Sequence, residues 1–196
     1  YLGLSPGLDF ETRLVARPSI AAVLEKELGN PRYRPAALAL GTATDPYQPI
    51  ERERRLTRAC LEVLEAAGHP VGVVTKGALV ERDADILARM AAQGIARVGF
   101  SVTTLDPDLA RRMEPRAPSP ARRLAAIRRL SEAGVPVRVM VSPIVPGLTD
   151  HEVEAILAEA AKAGAVAASW VMLRLPREVS ELWQEWLAEH RPDRAG

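Results

Sequence analysis

Five short runs of apolar, β-favouring residues punctuate the chain, at 36–40, 71–74, 98–102, 137–141 and 170–175. They are near-continuously apolar rather than alternating, the pattern of parallel strands covered on both faces. Helical patterns lie between them, with recognisable starts. Ser119-Pro120 and Asp106-Pro107 each set a capping side chain before a proline at the first helical position. Thr149 with Glu152 reads as a capping box opening a helix through Ala163. Gly134 and Gly164 sit where helices end and the next strand approaches. A helix over 51–67 presents Leu56, Cys60, Val63, Leu64 and Ala67 on one stripe. Leu182, Trp183, Trp186 and Leu187 recur at helical spacing over 179–190, where a packing face is expected.

The opening is less regular. A strand is possible over 10–16, Ser19 caps a helix through Leu28, and Asn30-Pro31 with Pro35 breaks the chain before the first firm strand. Neither repeats nor low-complexity tracts interrupt the sequence. It therefore reads as one domain over 1–196: an irregular start (1–35), a β/α core (36–176) and a C-terminal helix and tail (177–196). Strands alternating with helices predict an α/β fold with a parallel sheet, either doubly wound or closed towards a barrel. In both, ligands bind at the carboxyl ends of the strands.

Composition removes several functions. Lys+Arg (26) nearly balance Asp+Glu (25) and aromatics make up only 4%, which disfavours nucleic-acid binding by charge or base stacking. No apolar run reaches membrane-spanning length and no secretory leader is visible, so the expected location is cytoplasmic. The one cysteine, Cys60, falls on an apolar stripe and is expected to be a buried thiol. No metal site can be assembled from the cysteines. A start at Tyr1 rather than Met fits an internal fragment.

The strand ends carry the candidate chemistry. They read Gly41-Thr42-Ala43-Thr44-Asp45-Pro46, Thr75-Lys76-Gly77, Ser101-Val102-Thr103-Thr104, Ser142-Pro143-Ile144-Val145-Pro146-Gly147 and Arg174-Leu175-Pro176. A hydroxyl after a strand is usually a turn or cap, but five such ends deliver hydroxyls or a cation to one rim. Lys76, directly after Val73-Val74-Thr75, either reaches the pocket or snorkels. His69, His151 and His190 fall away from the rim, which holds no nucleophile–base pair. Such a rim suits a polar, zwitterionic ligand with the reactive group supplied by a cofactor. Tyr47, Gln48 and Arg174 are placed to meet a substrate.

In order, the segments 41–49, 74–76, 101–104, 113–120 with Arg122-Arg123, and 141–146 resemble radical SAM proteins related to spore photoproduct lyase. The resemblance runs from Tyr1 to about Asp193. It implies a partial parallel (β/α)6 TIM-like barrel that binds S-adenosylmethionine across the strand ends. A [4Fe–4S] cluster in the full-length protein, fed by an external electron donor, would cleave that cofactor reductively to a 5′-deoxyadenosyl radical. By the same resemblance Thr44, Lys76 and Ser101 hold the cofactor, Arg123 meets its methionyl carboxylate, and the Ser142 backbone faces the adenine.

Two departures narrow this. The family's C-x3-C-x2-C cluster loop is absent, so the resemblance places it, with the first barrel strand, before Tyr1; by itself this chain is expected to be inactive. The lyase's hydrogen-donating cysteine is replaced by Thr42, and a hydroxyl is a poor hydrogen-atom donor, so repair of spore photoproduct is not expected. A cluster-less barrel holding a nucleotide-like ligand and a phosphate-binding TIM-type enzyme using Lys76 remain as alternatives. The arginines at 111, 112, 116, 122, 123, 128 and 129 read as a solvated helix face in preference to a nucleic-acid patch. The substrate is unknown.

Overall fold

The computed structural model describes residues 14–194. Five parallel strands form one sheet in the order β1-β2-β3-β4-β5: β1 (Leu38–Leu40), β2 (Val71–Thr75), β3 (Ala96–Ser101), β4 (Val137–Ile144) and β5 (Ala167–Met172). Neighbours in sequence are neighbours in space, the arrangement that β/α units produce when each helix returns the chain to the next strand. The helices are α1 (Ile20–Leu28), α2 (Glu51–Arg54), α3 (Leu56–Ala66), α4 (Ala84–Ala92), α5 (Pro107–Met113), α6 (Pro120–Glu132), α7 (Val153–Lys162) and α8 (Arg177–His190). Strand register pairs Thr75 with Phe100 and Ser101 with Met140. Lys76 and Ser101 therefore lie at the same edge of the sheet.

The core sits on the central strands and their helices. Val73, Val98, Phe100 and Val137 are fully buried, together with Leu61, Leu64, Ile86, Leu87, Met90, Ile127 and Leu130. A smaller cluster joins Leu109, Val145 and Leu148 to Trp183 and Trp186 of α8. The tryptophan stripe is thus partly a packing face, with Leu187 buried and Leu182 exposed.

Two helix starts form as their sequences dictate. The Asp106 carboxylate accepts from the backbone N–H of Asp108 (2.8 Å) and Leu109 (3.2 Å). The Ser119 hydroxyl accepts from Arg122 N–H.

Other local expectations fail for identifiable reasons. The helix expected over 51–67 is two helices, broken at Arg55, whose φ is 49°. Glu51 causes the break to be favourable: its carboxylate accepts from the N–H groups of Leu56 (2.9 Å) and Thr57 (3.0 Å). It caps the second helix from inside the first, placing negative charge where the helix dipole favours it. Ala67 is exposed, and Leu61 takes the expected place in the core. The Thr149–Glu152 capping box does not form. Thr149 Oγ1 accepts from Val145 N–H, while the Glu152 carboxylate binds the Thr104 hydroxyl and Leu105 N–H. Ser19 makes no side-chain cap bond.

The fifth strand runs 167–172, not 170–175, and pairs only with β4. As an edge strand it is uncovered, and Trp170 is 65% exposed. The strand expected at 10–16 lies mostly outside the described residues, and 14–16 have no regular structure.

Candidate cofactor site

At the carboxyl ends of β1, β2 and β3 the surface opens into a cavity of about 510 Å³. That volume lies within the range of small-molecule sites. The 41–49 loop, Thr75-Lys76-Gly77, Ser101 and the 116–118 segment line it. Sheet register brings these residues together, because parallel strands in step deliver the residues after each strand to a common rim.

Asp45 braces the mouth. One carboxylate oxygen accepts from Tyr47 N–H (2.8 Å) and the Thr75 hydroxyl (2.7 Å), and the other from Lys76 N–H (2.8 Å). The loop after β1 is thereby stapled to the end of β2. Gly41, where that loop leaves the strand, has φ +97°. A Cβ there would stand 2.0 Å from the Val74 carbonyl oxygen, so only glycine fits so close an approach. We expect Gly41→Ala to destabilise the fold by about 3 kcal/mol or more. Denaturant titration of the variant checks this, and an unchanged midpoint would refute the close approach.

Lys76 does not snorkel. Its ammonium pairs with Glu114 in the segment between α5 and α6. The second Glu114 oxygen accepts from Arg123 Nη2 at 2.6 Å. Arg123 is only 2% exposed, and donates further from Nε to the Pro118 carbonyl and from Nη1 to the Ser101 carbonyl. Burial pushes the Glu114 carboxyl upward, but the charges and hydrogen bonds of Lys76 and Arg123 outweigh it and hold it below the ordinary carboxylate range. With the folded-state value depressed, this carboxylate's contribution to stability is present above its unfolded-state value. It is lost as pH falls through the folded-state one.

Behind the 41–49 loop lies a second polar cluster. The Tyr47 hydroxyl donates to the fully buried Asp83 (3.1 Å), which also binds Arg58 Nη1 (3.1 Å) and Arg82 Nε and Nη2 (2.9 and 2.8 Å). Arg82 reaches on to Glu51 at 2.9 Å. Burial first, and the Asp83 charge second, push the Tyr47 phenol far above its usual range. Tyr47 is therefore a neutral donor fixing the cavity wall.

The Radical SAM superfamily model matches residues 20–160. The chain belongs to the radical SAM superfamily. An uncharacterized protein of Mycobacterium tuberculosis is 38% identical over 98% of the chain, and one of Methanocaldococcus jannaschii is 32% identical over 58%. The chain spans 57% of the length of the mycobacterial relative. Among solved structures, a spore photoproduct lyase mutant with bound AdoMet and dinucleoside spore photoproduct has a TM-score of 0.62. It is 19% identical, covering 87% of this chain and 51% of that one. Streptococcus suis SuiB bound to S-adenosylmethionine gives a TM-score of 0.55 at 14% identity, covering 79% and 37%. At such identities the likeness is one of fold, the partial parallel TIM-like barrel.

For a radical SAM chain, the sequence-predicted residues divide into two groups. Thr44, Lys76 and Ser101 line the cavity. Thr44 is exposed and its hydroxyl accepts from Gln48 Nε2; Ser101 is 5% exposed. Arg123 and Ser142 are not on the wall. Arg123 backs it, and the Ser142 carbonyl accepts from the Thr103 hydroxyl at 3.4 Å. Of the expected substrate contacts, Tyr47 turns its hydroxyl to Asp83 and Arg174 lies off the wall. Asp45 lies in the rim motif 41–49, but neither it nor Glu114 carries a local pattern that marks it as a partner of Lys76.

Cys60 is buried in α3, and burial pushes its thiol upward. Among the described residues no group of His, Cys, Asp or Glu could hold a metal ion. The whole sequence has one cysteine. The family's cluster, which takes thiolate ligands, does not fit these residues. The arginine-rich stretch is no single patch: Arg122 and Arg129 pair with Glu81, Arg111 with Asp108, and Arg123 is buried. Among the described residues no helix is long and apolar enough to cross a membrane.

Proposed function

We propose that this chain is the S-adenosylmethionine-binding part of a radical SAM enzyme. The observation that carries the reading is the cavity where Thr44, Lys76 and Ser101 converge from three consecutive strand ends. Its donors match the ligand's chemistry. Hydroxyls suit a ribose, and Lys76, held beside two further charges, suits a carboxylate. In the full-length protein a [4Fe–4S] cluster, held by thiolates that these 196 residues do not supply, would provide the reducing chemistry together with an external electron donor. The residues of this chain bind and orient. Arg123, buried behind the wall, supports the carboxylate site through Glu114 and the Ser101 carbonyl, and the Ser142 backbone, which does not line the cavity, would face the adenine only by the family resemblance.

Calorimetry with S-adenosylmethionine tests the reading. We expect saturable heat, and its absence at millimolar ligand would overturn it. The single cysteine favours a second reading, a cluster-less barrel that binds the same ligand without turnover. The two part on the coding sequence before Tyr1. An open frame carrying three cysteines as C-x3-C-x2-C is the expected finding, and a frame without them leaves the binding module.

A further inference from the structure

Glu114 does not itself line the cavity, yet both Lys76 on the wall and Arg123 behind it are tied to it. Its two oxygens are divided: Oε1 takes the Lys76 ammonium and Oε2 takes Arg123. The partners differ in kind. Arg123 is buried, with further donor bonds to the Pro118 and Ser101 carbonyls, so it is a fixed anchor. Lys76 has a side chain 36% exposed and faces the cavity. A lysine there, on a stem of four methylenes, would otherwise sample many rotamers.

We infer that Glu114 is a positioning residue: it holds the Lys76 ammonium at the cavity wall, anchored through Arg123, so that its remaining donors meet the carboxylate of an incoming ligand.

Charge and donor count support this. One carboxylate between two cations leaves the triad with a net charge of +1. An ammonium has three donors, and Glu114 occupies one. The wall can accept a second anion without breaking its internal pair. The same triad ties the ends of β2 and β3 to the segment before α6, since Lys76 follows β2 and Arg123 binds the carbonyl that ends β3. Elements that converge on the cavity are thus linked through one carboxylate. This inference rests on the cofactor reading for the ligand's identity, but not for the Glu114–Lys76 tie.

Two measurements separate those dependencies. In the ligand-free chain, acetylation of Lys76 is followed relative to exposed Lys162. Glu114→Gln should raise the Lys76 rate several-fold and leave Lys162 unchanged, and an unmoved Lys76 rate would overturn the tie. Calorimetry then compares S-adenosylmethionine with 5′-methylthioadenosine, which lacks the methionyl carboxylate. Glu114→Gln should weaken S-adenosylmethionine about tenfold, the cost of a misplaced charge-assisted bond. It should leave 5′-methylthioadenosine within about twofold. A parallel loss of both ligands would mark Glu114 as merely structural and overturn the inference. Glu114→Asp guards against a folding failure: it keeps the negative charge beside Arg123 while shortening the reach to Lys76, and should reproduce the selective loss. If neither ligand binds the unaltered chain, the cofactor reading falls, and the acetylation contrast still decides whether Glu114 holds Lys76.

Discussion

Asp83→Asn should lower the unfolding free energy by about 3 kcal/mol, the lower end of what breaking a buried ion pair costs. Asp83 has no exposed surface, and its carboxylate is the shared acceptor of Tyr47, Arg58 and Arg82. An amide keeps the shape but withdraws the charge from two guanidiniums at once. The arginine side chains are 25% and 20% exposed, and water reaching them holds the loss to the low end. For a chain of this size, about 3 kcal/mol corresponds to a fall in Tm of about 6–12 °C. The control is Asp85→Asn. Asp85 also pairs with Arg58, at 3.0 Å, but its side chain is 49% exposed, so its removal should cost less than about 1 kcal/mol. Thermal denaturation followed by circular dichroism decides the contrast. Equal losses would show that burial is not what gives the Asp83 cluster its weight.

That cluster also shows where sequence reading stops. The apolar runs mark the strands because near-continuous apolar character is complete within each segment. The Asp106 and Ser119 caps were legible for the same reason, each being complete within a few residues. Tyr47 and Asp83 are 36 positions apart, and Lys76 and Glu114 are 38 apart. No local pattern says that such side chains meet. Glu51 makes the point at short range. Its carboxylate caps a helix starting five residues later, a spacing outside the usual capping box, so two helices read as one. The fifth strand differs: its apolar run predicts cover that only a neighbour can supply, and β5 lies at the edge.

At the cavity, legibility follows position at adjacent strand ends: Thr44, Lys76 and Ser101 line it, whereas Arg174, after the edge strand, does not. The resemblance gives Arg123 a ligand contact, and the structure holds its side chain behind the cavity wall. Its burial depends on two backbone carbonyls and on Glu114, none of which marks itself in sequence as a partner. On the proposed reading, ligand charge therefore falls to Lys76, which lines the cavity while Arg123 does not.

That assignment makes the second large prediction specific. On the proposed reading, Lys76→Met should weaken S-adenosylmethionine binding by about 10- to 100-fold, since a hydrogen bond to a charged group contributes about 1.5–3 kcal/mol. Methionine retains the apolar stem, so packing against the wall is little disturbed. The electrostatic change is larger than the loss of one contact. With lysine the triad carries +1. Without it, Arg123 and Glu114 cancel, and the free Glu114 oxygen turns a negative edge towards the ligand carboxylate. Stability should change little, because Arg123 keeps its own bonds to Glu114, Pro118 and Ser101. Calorimetry and thermal denaturation on the same variant therefore give opposite expectations, a large loss of affinity at a nearly constant Tm. An unchanged affinity would remove Lys76 from the site. A collapse in Tm would mean that the lysine serves the fold, leaving Thr44 and Ser101 to hold whatever the cavity binds.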